Sequence, residues 1–373
     1  MLHVFVYVVR SVEDHFSGIR RALSFEAESR TIDVCFEEQD FDLIDRVEYT
    51  DKRFLRMFYY PALFRRLYAK LDQAISQAGS EKVNVYFADE GIWSVVWAQY
   101  RRRGGRSHVR GVNVQHGFAE IRPVHTLPIR AFINAVSRIF VGFPCLGYGS
   151  LGGGGAGAFD VYLTYDDAIA HYIHERLGCA ALSAPRLIKH DLIAGFSEKR
   201  KKTLPLQKPR VLFALNVKMR GSAIKCDIEE TFDQLLPLAK AIQGYGASFA
   251  LRLHPAMNAE IVGAQFVAHS ISEFSEIDGY LSLHDSLAVT TISMSFLSSV
   301  LWESSLLGIM PVQIICACCN TAKLHYQREE LTLDDTMQER LQELLQKADR
   351  PMKMNWEQQE ELEWQKVRAA LIA

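Results

Sequence analysis

Long apolar runs are missing from this 373-residue chain, and no stretch approaches the ~20 apolar residues needed to span a bilayer. An excess of one charge is missing too: 42 Lys and Arg face 44 Asp and Glu, for a net charge of -2. That balance excludes a protein-wide basic footprint for nucleic acid and an acidic disordered tail. Residues Met1 to Phe16 hold a short apolar run of strand length. They lack a basic n-region and a small-residue cleavage site, so secretion is not expected. The 7 cysteines are odd in number and mostly embedded in apolar runs. This argues for reduced thiols in a cytoplasmic setting rather than a disulfide framework. Integral membrane insertion is thereby excluded, whereas peripheral contact with the cytoplasmic face of a membrane stays open.

What is present is a globular composition, with 49% hydrophobic and 23% charged residues, on a chain long enough for two or three domains. Short apolar runs alternate with amphipathic segments. Leu2–Val9, Thr31–Phe36, Lys82–Ala88, Gly111–Gln115 and Asp160–Thr164 read as strands; Asp14–Glu28, Pro61–Gln77, Ile92–Arg103 and Asp166–Leu177 read as helices. Residues 195–209 are polar and basic and end in proline, which suits a linker. The alternation then restarts: Arg210–Asn216, Ser248–Leu253, Leu287–Ile292 and Val312–Ile315 read as strands, Asp227–Tyr245 and Phe296–Leu307 as helices, and about 335–371 as a helical tail. This pattern predicts an α/β protein with two parallel sheets, each covered on both faces. The expected division is a lobe over 1–194, a linker over 195–209, a second lobe over 210–350 and a terminal helix over 351–373 that can pack back on the first lobe.

Ligands of such sheets bind at the carboxyl ends of the strands. Three places meet that test. Asp89-Glu90-Gly91 follows a strand and opens a helix. A carboxylate there can take a proton from a bound hydroxyl, although the same pair also suits helix capping. Arg252-Leu253-His254-Pro255 follows another strand, and the proline fixes the turn. The histidine and Arg252 suit a phosphate, or the histidine simply ends the strand. Ser293, Ser295, Ser298 and Ser299 gather where a helix opens. Unpaired N–H groups and the helix dipole make this an anion site, unless the serines are only caps. A weaker fourth feature, His116-Gly117, follows the strand GVNV, and the glycine lets the backbone approach a ligand.

The ordered set Asp89-Glu90-Gly91, His254-Pro255 and Ser298-Ser299 resembles the motif series of bacterial sialyltransferases and polysialyltransferases. Transferases that use CMP-Kdo share much of this plan. Gln115-His116-Gly117 and the helix-opening serines are also similar to glycerophosphotransferases that use CDP-glycerol. The resemblance implies a GT-B architecture, two Rossmann-like lobes facing a central cleft. It implies a CMP-activated sialic acid or Kdo as donor, no metal or other cofactor, and a glycan or glycolipid acceptor of lipopolysaccharide or capsule. In that scheme Asp89, with Glu90 as its rival, is the general base. His254 stabilises or protonates the leaving phosphate, Ser298 and Ser299 hold it with Ser295 in support, and Arg252, Pro255, His116 and Gly117 complete the donor side.

The alternatives are a transferase with a CDP-glycerol or UDP-sugar donor, and a retaining Kdo transferase with Asp160 or Asp166 as nucleophile. A non-catalytic two-lobe binding protein is the rival from another class. Asp40-Phe41-Asp42, the cysteines at 316, 318 and 319, and His171 with His174 and Glu175 carry weaker metal patterns, read here as a chance match, packing and a solvated face. Gly147–Gly157 precedes a strand, so it is no dinucleotide fingerprint. Two basic clusters, Arg101–Arg103 with Arg106 and Arg110, and Lys199–Lys202, suit either solvent or an anionic surface.

Overall fold

The computed structural model describes residues 1–7, 13–35, 56–79, 81–88, 97, 100, 101, 108–115, 159–202, 208–215, 227–254, 257–296, 298–315, 328–348 and 356–372. The chain divides into two compact units, Met1–Asp191 with Trp356–Ala373, and Leu192–Asn355.

The first unit is built on strands β1 (Leu2–Tyr7), β2 (Arg30–Cys35), β3 (Val83–Phe87), β4 (Val109–Val114), β5 (Val161–Thr164) and β6 (Ala180–Ser183). All neighbours pair in parallel, in the order β2-β1-β3-β4-β5-β6. β3 is buried along its whole length, as expected when helices cover both faces of a sheet. Helices α1 (Glu13–Ser24), α2 (Arg56–Ser76) and α3 (Asp167–Leu177) belong to this unit. Leu67 and Leu71, one turn apart on α2, are fully buried beside Val4, Val85 and Phe87. Each such aliphatic side chain contributes roughly 1.5–3 kcal/mol. Asp166 caps α3 by accepting from Ile169 N at 2.8 Å, and Gly178 ends it with φ 65°, a conformation glycine adopts without strain. Gly111 answers a different need. A Cβ there would lie 2.1 Å from Nε1 of buried Trp97, which stacks on Phe159.

Past β6 the chain turns through α4 (Pro185–Ile188) into α5 (His190–Lys202). Residues 195–202, expected to begin a linker, are helical. Ile193 and Phe196 supply an apolar face, and the cations of the last turn favour the negative end of the helix dipole. The terminal helix α11 (Trp356–Ile372) belongs to the first unit. Its Glu363, 6% exposed, accepts from Arg186 Nη1 at 2.6 Å, Arg186 N at 2.8 Å and Leu187 N at 3.2 Å. One carboxylate thus pairs an arginine and satisfies the open N–H groups of α4.

The second unit contains β7 (Arg210–Leu215), α6 (Ile228–Gly244), β8 (Ser248–Leu253), α7 (Ala259–Ala268), β9 (Glu276–Ile277), α8 (Leu283–Ala288), β10 (Ile292–Ser295), α9 (Ser299–Leu306), β11 (Met310–Ile315), β12 (Glu329–Thr332) and α10 (Met337–Ala348). Its parallel sheet runs β9-β8-β7-β10-β11-β12. A full capping box of Asp227 and Glu230 starts α6. Two expectations shift. LAVTTI is not a strand: Ser282 caps α8 through Asp285 N, and the strand is the next segment, ISMS. The helical tail is two helices, α10 and α11, assigned to different units.

Candidate functional site

In doubly wound sheets the ligand crevice opens where strand order reverses. That point lies at the carboxyl ends of β7 and β10 in the second sheet, and of β1 and β3 in the first. His254 leaves β8 and Ser298 follows β10. β8 and β10 flank β7 on its two sides, so the expected His and Ser motifs meet the same end of the same sheet.

His254 is exposed, and its carbonyl accepts from Met257 N at 2.9 Å, which closes the turn after β8. Desolvation of the part of the ring that faces protein pushes its pKa below the ordinary imidazole value. That shift favours the neutral ring. Ser298, in extended conformation, is the N-cap of α9 and accepts from Val300 N at 3.2 Å; Ser299 is the first helical residue. Ser295 lies one step back, buried in β10 rather than at the helix start, and its Oγ donates to Ala214 O of β7 at 2.8 Å. From the other side, buried Gln313 of β11 donates to Phe296 O at 3.0 Å, and Arg328 Nε donates to Gln313 Oε1 at 2.6 Å. The turn that delivers Ser298 is thus held from both neighbouring strands.

Arg252 points to other partners than a ligand. Its Nη1 donates to Asp278 Oδ2 at 2.8 Å and Tyr280 O at 3.0 Å, and its Nη2 to Leu281 O at 3.3 Å. Asp278, with no side-chain exposure, also accepts from Arg210 Nη2 at 3.0 Å and Ser286 Oγ at 2.7 Å. Asp278 escaped the sequence reading. A usable signal was Arg210 opening the apolar strand RVLFAL, since a buried arginine demands an acid. Glu303, 4% exposed among the buried residues of α9, was missed as well. An acid amid a helix's buried positions was its signal.

Asp89, Glu90, His116, Gly117 and Pro255 lie outside the described residues, as do 40–42, 147–157 and the cysteines at 316, 318 and 319. Their neighbours are fixed. β3 ends at Phe87, two residues before Asp89. Gln115, next to His116, donates its N–H to Leu163 O at 2.9 Å and accepts from Tyr165 N at 2.8 Å through Oε1. Asp160 precedes β5, at the amino end of the sheet, and is held by Gly111 N at 2.8 Å and Arg101 Nη1 at 2.9 Å. Asp166 is the cap of α3. Among the described residues no three His, Cys, Asp or Glu side chains group as metal ligands, and no helix is long and apolar enough to cross a membrane.

No family model matches the chain, and no curated protein sequence matches it. Solved structures do share its fold. A UDP-GlcNAc 2-epimerase from Neisseria meningitidis, bound to UDP-GlcNAc, aligns over all of this chain and 99% of its own, with a TM-score of 0.61 at 8% identity. One from Methanocaldococcus jannaschii aligns over the full length of both chains, with a TM-score of 0.58 at 10% identity. The enzyme from Rickettsia bellii gives a TM-score of 0.53 at 10% identity over all of this chain and 95% of its own. At such identities the shared property is the fold: two Rossmann-like lobes of the GT-B class.

Proposed function

We propose that this protein is a GT-B glycosyltransferase that moves a nonulosonic acid, sialic acid or Kdo, from a CMP-activated donor to a bacterial surface-glycan acceptor, without metal or other cofactor. The observation that carries the reading is the placement of His254 and Ser298 on either side of β7 at the carboxyl end of one sheet. Strands ~4.8 Å apart put the ends of β8 and β10 ~10 Å apart, a gap that a phosphate and its adjoining sugars fill.

The chemistry follows from those groups. A sialyl or Kdo centre loses its phosphate through an oxocarbenium-like state, so the barrier falls when the departing charge meets preorganised donors. The Ser298 and Ser299 hydroxyls at the positive end of the α9 dipole supply such donors, and the hydrogen bonds from Ser295 and Gln313 set their position before substrate arrives. Neutral His254 donates its N–H to the same phosphate, and the anion raises its affinity for a proton as the leaving group departs. Asp89 takes the acceptor's proton, with Glu90 as its rival; this role rests on the sequence pattern. Inversion by single displacement is favoured, because Asp160 and Asp166, the carboxylates named for a retaining route, are engaged in backbone and arginine contacts.

A second reading substitutes a UDP-sugar, supported by the shared fold with a protein solved with UDP-GlcNAc bound. Purified protein incubated in parallel with CMP-sialic acid, CMP-Kdo, UDP-GlcNAc and CDP-glycerol separates the two. Release of CMP, lost in His254→Ala and in Ser298→Ala with Ser299→Ala, is the expected result. Turnover of UDP-GlcNAc or CDP-glycerol with no CMP release refutes the CMP assignment.

A further inference from the structure

The loop from Asp278 to Ser282 joins β9 to α8, and its backbone is fastened along its length. Asp278 N donates to Leu251 O at 2.8 Å. Arg252 donates to the carbonyls of Tyr280 and Leu281. Ser282 Oγ accepts from Asp285 N at 3.2 Å and donates to Asp285 Oδ2 at 2.8 Å. The anchor beneath is the buried carboxylate of Asp278 with its two arginines. The tip is the reverse of buried: Leu281 is 100% exposed and Tyr280 39%, beside Ile277 of β9 at 38%. These bonds hold the backbone of the tip while the leucine stays in water.

Beside it, α5 packs along α8. A Cβ on Gly195 would lie 2.9 Å from the His284 ring. Lys199 Nζ is 3.1 Å from Asp285, and Arg200 Nη1 is 2.7 Å from Ala288 O. α5 ends in Lys199-Arg200-Lys201-Lys202. Asp285 balances Lys199, and Glu198 balances Lys202 at 2.6 Å. Arg200 meets a neutral carbonyl, and exposed Lys201 has no ion pair among the described residues. Glu276, 63% exposed, lies 3.4 Å from Arg210 and is an acid of the same region. The surface therefore combines a rigid apolar tip with uncompensated cations.

We infer that this surface docks the protein on an anionic lipid bilayer, with Leu281 and Tyr280 entering the headgroup–acyl boundary and the α5 cations lying over lipid phosphates. Three apolar side chains fall far short of the apolar core of a stable protein interface, which buries ~800 Å² per partner. A bilayer needs no such area, because penetration by a tip and Coulomb attraction by a few cations add. The inference is independent of the donor assigned above, since it concerns neither His254 nor the serines.

The test is co-sedimentation of the full chain with phosphatidylcholine vesicles, with and without phosphatidylglycerol. Binding should require phosphatidylglycerol and weaken with salt. Leu281→Asp should weaken it by roughly tenfold or more, and Lys201→Gln by roughly fivefold. Both positions are exposed, so thermal melting should be unchanged. Equal binding to both vesicle types, no binding to either, or binding that survives both variants overturns the inference. Self-association of the wild type, measured by light scattering and lost in Leu281→Asp, overturns it too, because the tip is then a protein contact.

Discussion

His3 makes the stability of the first unit depend on pH in a way that can be worked out from its surroundings. It is 2% exposed on β1, its Nδ1 is 2.8 Å from the Tyr86 hydroxyl, and its ring stacks on Tyr86 at 5.8 Å. Desolvation first, and the positive N-terminus second, lower its pKa from 6.5 to about 4. The unfolded chain therefore binds a proton below pH 6.5 that the folded chain refuses until about pH 4. Stability is whole above the unfolded value, begins to fall as pH drops through it, and stops falling below the folded value. The full gap corresponds to ~3.4 kcal/mol, of which ~2 kcal/mol is already lost at pH 5.

The perturbation is His3→Gln, which keeps a polar partner for Tyr86 and cannot titrate. Urea unfolding, followed by circular dichroism at pH 7 and pH 5, gives the two stabilities of each protein. Every other titrating group is common to both proteins, so it cancels in the comparison. The wild type should lose ~2 kcal/mol more than the variant between the two pH values. Equal losses would refute the reasoning, and would mean that water or rearrangement lets the folded state protonate His3 freely.

Gly111→Ala should destabilise the first unit by ~2 kcal/mol or more in the same assay, because Trp97 is locked against Phe87 and Phe159 and cannot yield the 2.1 Å contact. Asp278→Ala should cost ~3–5 kcal/mol in the second unit by stranding Arg210 and Arg252, and a loss under ~1 kcal/mol would show that solvent reaches them. Glu363→Ala should free α11 to limited proteolysis, and Glu363→Gln should restore much of the protection, since an amide oxygen still accepts from the α4 backbone. Ser295→Ala should leave Ala214 O without its hydroxyl donor, cost ~1–3 kcal/mol and weaken nucleotide binding by loosening the turn that delivers Ser298.

Of the strands that cross the middle of each sheet, those written as unbroken apolar runs by burial on both faces were legible, and β10, with the sequence ISMS, was not. β1, β3, β7 and β8 fall within two residues of their expected limits. The edge strands β6, β9 and β12 were not, since they are short, half-exposed or polar and carry little pattern. LAVTTI misled for a related reason: the buried end of α8 runs into β10, and apolar residues in sequence do not say where a helix stops. The strand-end positions of His254 and Ser298 were legible because they follow from local order alone. Arg252 shows the limit of that reasoning. Its place beside His254 suited a phosphate, yet its guanidinium is taken by a carboxylate 26 residues away and by two loop carbonyls. The same carboxylate reaches Arg210 across 68 residues. Such pairings are set by which strands become neighbours, and no local window contains that information. A cation at a strand end therefore counts toward anion binding only after the buried acids of the adjacent strands have been assigned. In this sheet that assignment removes Arg252 from the candidate anion donors and makes it the clamp that holds Leu281 in solvent.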